Sequence, residues 1–80
     1  MKAYTLTKHE QKQQKELERL LVEVSANLQG VKIGAYIEED YRIDRVIQQL
    51  LIHALTYLSE GDGYNYAMTL DRLEGLGIEL

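Results

Sequence analysis

The chain has 80 residues, no cysteine, no proline and a formal charge of −4. That length allows one domain at most, with a core that buries only about 60% of the unfolded surface, and the missing cysteines exclude disulfide staples and thiolate metal sites. No run approaches the ~18 apolar residues of a membrane span, and Met1–Glu10 has no apolar signal core, so a cytoplasmic protein with no membrane contact is expected.

The charge is uneven. Residues 1–30 hold five Lys/Arg against four Asp/Glu, and residues 31–80 hold four against nine. An acidic chain is a poor electrostatic match for phosphate backbones, which makes direct nucleic-acid binding an unfavoured reading.

Thr7-Lys8-His9-Glu10 has the spacing of a capping box and opens a predicted helix over 7–29. Leu17, Leu20, Leu21, Val24 and Leu28 form its core-facing stripe, with Lys12/Glu16 and Arg19/Glu23 as i,i+4 pairs. Its first two turns, His9–Glu16, carry no apolar stripe and are expected either to stand in solvent or to meet a partner through polar contacts. Gly30 is placed to end the helix at φ > 0. In Val31–Ile37 the period changes to alternation, which predicts a short extended or strand-like segment. Glu38, Glu39 and Asp40 then precede a second predicted helix over 41–60, with Asp40 as its N-cap.

That second helix is the most apolar stretch of the chain. Ile43, Val46, Ile47, Leu50, Ala54, Tyr57 and Leu58 cluster on one side of a wheel of roughly 100° per residue and are assigned to the core. Leu51, Ile52 and Leu55 lie beyond that stripe, and an 80-residue chain has little with which to cover them. They are therefore read as a protein interface, with a homodimer as the expected assembly. Gly61-Asp62-Gly63 ends the helix. Asp62 or Asn65 caps a third predicted helix over 65–74, with Ala67, Leu70 and Leu73 inward and an apolar tail of Ile78 and Leu80. The architecture expected is an all-α, compact three-helix domain.

Sites of chemistry are hard to find. His9 and His53 are the only histidines, and neither has a nucleophile at helical spacing. Glu60–Asp71 fails the calcium-loop pattern, with Tyr64 and Asn65 where an oxygen ligand and glycine are required. No catalytic residue, cofactor or metal is assigned, and an enzyme is not expected. The six tyrosines suit half-buried or contact positions, and Tyr64 and Tyr66, beside the glycine turn, join the candidate interface. Glu38, Glu39, Asp40 and Asp44 form a candidate acidic patch.

Leu58, Gly61-Asp62, Tyr64 and Ala67 give the second helical hairpin a resemblance to one tetratricopeptide-type unit. It covers about a third of the chain, with Gly63 as an extra turn residue and no second unit to stack on. It implies an αα-hairpin and no function. The expectation is a small acidic, non-enzymatic interaction module that binds and inhibits or regulates another macromolecule, by analogy with small acidic helical inhibitors of phages and mobile elements. One alternative is an acidic mimic of nucleic acid that blocks a nuclease or polymerase, which would make the partner a nucleic-acid-handling protein. Another is a nucleic-acid-binding regulator that uses Lys8, Lys12, Lys15 and Arg19 of the first helix.

Overall fold

The computed structural model describes residues 4–29 and 38–79, of which 38–40 as backbone alone. The chain forms three helices, α1 (Lys8–Gln29), α2 (Glu38–Glu60) and α3 (Gly63–Gly75), with no strand among the described residues. The predicted extended segment at 31–37, and the predicted cap at Gly30, lie outside the described residues. The second helix starts earlier than expected. Glu38–Asp40 form its first turn, so Asp40 is a helical residue rather than the N-cap.

Four helix ends, the start of α1, the end of α2 and both ends of α3, are closed by their local sequence. At the start of α1, the Thr7 N–H donates to Glu10 Oε1 at 2.9 Å and the Glu10 N–H donates to Thr7 Oγ1 at 3.1 Å. Two otherwise unpaired N–H groups are thus satisfied reciprocally. At the end of α2, the Gly61 N–H donates to the Leu58 carbonyl at 3.2 Å and the Asp62 N–H to the Tyr57 carbonyl at 2.9 Å. This Schellman closure needs a left-handed residue, and Gly61 supplies it at φ +73°. Asp62 then caps α3 by accepting from the Asn65 N–H. The same closure recurs after α3, where Gly77 takes φ +90° and the Ile78 N–H donates to the Leu73 carbonyl. Ile78 is thereby folded back onto the core beside Leu73.

α2 is the central element. It packs against both α1 and α3, which make no close backbone approach to each other. Gln48 Nε2 donates to Ser25 Oγ at 3.1 Å, joining the middle of α2 to the last turns of α1, while Tyr4, before α1, stands against Gly61, after α2, so the pair is antiparallel. The buried core is Leu17, Val24, Ile47, Leu51, Ala54, Leu58 and Leu73, flanked by half-buried Leu6, Leu20, Leu21, Leu28, Leu50, Leu55, Tyr66, Leu70 and Ile78.

This core corrects the sequence reading of α2. The buried stripe is Ile47, Leu51, Ala54 and Leu58, and Leu51 is fully enclosed. Leu51 is therefore a core residue and not an interface residue. Ile43 and Val46, assigned to the core, are exposed instead. The apolar arc of α2 is wider than one core requires, and the joint placement of α1 and α3 centres burial half a residue's rotation away from the middle of that arc. In α3, Thr69 is turned inward while Ala67 is exposed. Thr69 satisfies its hydroxyl on the Asn65 carbonyl at 2.7 Å, so its burial leaves no unpaired group.

The polar start of α1 is largely solvated, as expected, with Lys8, His9, Gln11, Lys12 and Lys15 exposed, and it is also anchored by polar contacts within the chain. Glu10 accepts from the Tyr4 hydroxyl, Gln11 Nε2 donates to the Leu6 carbonyl, and Gln13 Oε1 accepts from the Tyr66 hydroxyl of α3 at 3.0 Å. Two turns without leucines are thus held by polar contacts from within the chain.

Candidate functional site

α2 presents two apolar faces. One is the core stripe. The other runs beside it through Ile43, Val46, Leu50, His53 and Tyr57, at intervals of three and four residues that keep a single line on a helix surface. Val46 is 50% exposed and Ile43 38%, while His53 is exposed and Leu50 and Tyr57 are half-buried. The His53 and Tyr57 rings lie 6.4 Å apart, tilted by 54°. Tyr4, itself exposed, stands beside Tyr57 at the Gly61 turn and extends the apolar surface there.

α3 does not reach the upper half of this face. α3 has 13 residues and α2 has 23. At about 1.5 Å per residue, α3 runs back about 20 Å along a helix of about 35 Å. It starts from the α2 end at Gly61 and stops short of the turns that hold Ile43 and Val46.

The electrostatics of this face differ from those of the chain. Arg45–Ser59 contains no aspartate or glutamate, although the whole chain carries thirteen. Arg42 lies at one end of the exposed line and Glu60 at the other. The other acidic side chains of the described residues lie on α1 at Glu10, Glu16, Glu18 and Glu23, on α2 at Asp44 beside Ile43, around the turn at Asp62, and on α3 and its tail at Asp71, Glu74 and Glu79. Asp62 is held below the ordinary carboxylate range by the Asn65 side chain and then by the Asn65 N–H. Glu10 is lowered first by the Thr7 N–H and then by the Tyr4 hydroxyl. Tyr66 is raised, chiefly by burial and then by the nearby Glu10 charge.

Of the expected interface residues, Ile52 is 40% exposed and Leu55 half-buried, on the opposite flank of α2 from Val46. Tyr64 is 75% exposed, whereas Tyr66 is half-buried and bonded to Gln13. The structure therefore does not bring Leu51, Ile52, Leu55, Tyr64 and Tyr66 together as one patch. Of the acidic patch, Glu38, Glu39 and Asp40 have side chains outside the described residues, and Asp44 is half-buried. The basic set on α1 is divided, because Arg19 pairs with both Glu16 and Glu23. Glu16 thus faces Arg19 rather than Lys12.

Two open grooves flank the tail that follows α3. One, of about 400 Å³, is lined by His9, Lys12, Gln13, Glu16, Leu17, Tyr66 and Glu79. The other, of about 440 Å³, lies over Ala67, Leu70, Asp71, Glu74, Ile78 and Glu79. Neither joins a nucleophile to a base. Among the described residues, no group of three His, Asp or Glu side chains is placed to hold a metal ion. No described helix is long and apolar enough to cross a membrane.

Sequence reasoning missed Ile43 and Val46 as surface residues. The signal that could have found them is the acid-free run Arg45–Ser59 in an acidic chain, together with a second line at the 3-4 spacing beside the first. No family model, no curated protein and no solved structure matches the chain.

Proposed function

We propose that this chain is a small acidic protein-interaction module that works by binding another protein surface and regulating it, without chemistry of its own. The observation that supports this reading is the open apolar face of α2. A domain this small has little apolar surface to spare, and a line with Ile43 and Val46 exposed and Leu50 and Tyr57 half-buried is the kind of surface that a partner covers. The same helix supplies the core from its other face, so the contact surface is carried on the central element of the fold. Cytoplasmic location belongs to this reading.

The test is affinity capture from the native cell with the unaltered chain and with Val46→Glu, which places a charge in the middle of the face. Val22→Glu, at an exposed position of α1, is the control. A protein retained by the unaltered chain and by Val22→Glu but lost with Val46→Glu, at equal helical content, supports the proposal. Equal retention by all three would refute this face as the contact surface.

A further inference from the structure

We infer that the open face of α2 is closed by a second copy of the same chain, with the two α2 helices antiparallel across a two-fold axis between Leu50 and His53. This deepens the interaction-module reading and rests on it. Three observations converge on it.

The first is spacing. Ile43, Val46, Leu50, His53 and Tyr57 follow a 3-4-3-4 interval, which is the interval that keeps two long helices in contact along their length. An antiparallel pair on this axis sets Val46 against the partner's Tyr57 and Leu50 against the partner's His53. Each long ring then faces a shorter aliphatic side chain, and every contact occurs twice.

The second is charge. Two copies at −4 each repel, so a self-association surface must keep carboxylates out of the contact. The acid-free run Arg45–Ser59 does so. At the ends of the run, this axis sets Ile43 against the partner's Glu60 at the rim of the contact, whereas parallel pairing would stack Glu60 on Glu60.

The third is size. Ile43–Glu60 spans about 27 Å of helix, and one helix pair of that length falls near the low end of the area that specific interfaces bury. The dimer is therefore one that dissociates on dilution, with a dissociation constant on the order of micromolar.

The experiment uses the full chain, which has no native cysteine to confuse a disulfide assay. Sedimentation equilibrium from low micromolar to roughly 1 mM should show a monomer–dimer equilibrium, weakened about tenfold or more by Val46→Glu and left unchanged by Val22→Glu. Mixing the Val46→Cys and Tyr57→Cys variants under mild oxidation should give the mixed disulfide in preference to either symmetric product. If Tyr57→Cys perturbs the fold, Leu50→Cys mixed with His53→Cys reads the same register. A monomeric mass throughout the range would overturn self-association, while a partner captured through Val46 would leave the interaction-module reading standing. A dimer that ignores Val46→Glu, or a symmetric Val46–Val46 disulfide as the main product, would overturn the antiparallel α2 pairing.

Discussion

The two faces of α2 both carry large aliphatic side chains and differ in fate. Ile47, Leu51, Ala54 and Leu58 are buried by α1 and α3, while Ile43, Val46, Leu50, His53 and Tyr57 lie along an open or half-open flank. Hydrophobicity alone does not separate them. What separates them is the reach of the neighbouring helices. α1 and α3 approach α2 from positions that centre the core on Leu51, and α3 ends before the Ile43 turn. A small domain can thus hold its core and a contact surface on one helix, about a quarter turn apart.

The comparison breaks most visibly under truncation. Leu51→Ala should cost about 2–5 kcal/mol, because the side chain is fully enclosed and its neighbours cannot all collapse into the cavity. Val46→Ala should cost the isolated monomer less than about 1 kcal/mol, since half of that side chain is already in water. Denaturant melts below the concentration at which the chain associates would measure both. Equal losses would mean that both faces are core.

The next effect concerns the turn that sets α3 on the inner face. A Cβ at Gly61 would stand 2.7 Å from the Tyr4 ring, at a φ that side chains rarely adopt. Gly61→Ala should therefore destabilise by about 1–3 kcal/mol and displace Tyr4. At Gly63, the first residue of α3, a Cβ meets nothing within 4 Å. Gly63→Ala should instead stabilise, by up to about 1 kcal/mol. Thermal unfolding of the two variants side by side checks the difference in sign.

Smaller again is the link between α3 and the polar start of α1. Tyr66→Phe removes the bond to Gln13 and should cost about 1 kcal/mol, with faster amide exchange near Gln13 and no change along Ile43–Leu50.

The smallest effect is the pH dependence. Glu10 and Asp62 are lowered in the folded state, so their contribution is present above the ordinary carboxylate range and is lost as pH falls, from about pH 4 downward. Tyr4, raised first by its bond to Glu10, and Tyr66, raised first by burial, act in the opposite sense. Their contribution is present below the ordinary tyrosine value and is lost as pH rises above about 10. Asp62→Asn and Glu10→Gln should each flatten the acid limb of a stability–pH curve, and Tyr66→Phe the alkaline limb.

The features legible in the sequence were those that depend on neighbours in the chain. The Thr7–Glu10 capping box and the glycine stop at Gly61 are each complete within a few residues, so spacing alone reveals them, and it narrows the cap of α3 to Asp62 or Asn65. The core face of α2 was not legible. Its apolar arc spans several equivalent choices, and the choice is made by α1 and α3 from more than a dozen residues away in sequence. The same holds for the anchoring of the polar start of α1. Gln13 finds its partner at Tyr66, 53 residues on, and no local pattern announces that bond. The expected contact at Leu51 failed for this reason, because it was inferred as a remainder after the wrong stripe had been given to the core.

The most direct test of the two-faced helix is a dilution series of amide proton–nitrogen correlation spectra of the full chain. Amides of Ile43, Val46, Leu50, His53 and Tyr57 should shift together with concentration, while those of Leu17 and Leu73 in the core and Ala67 and Met68 on the outer side of α3 stay in place. Spectra that do not change with concentration, or changes centred on α3, would contradict an open face on α2 that a second copy closes.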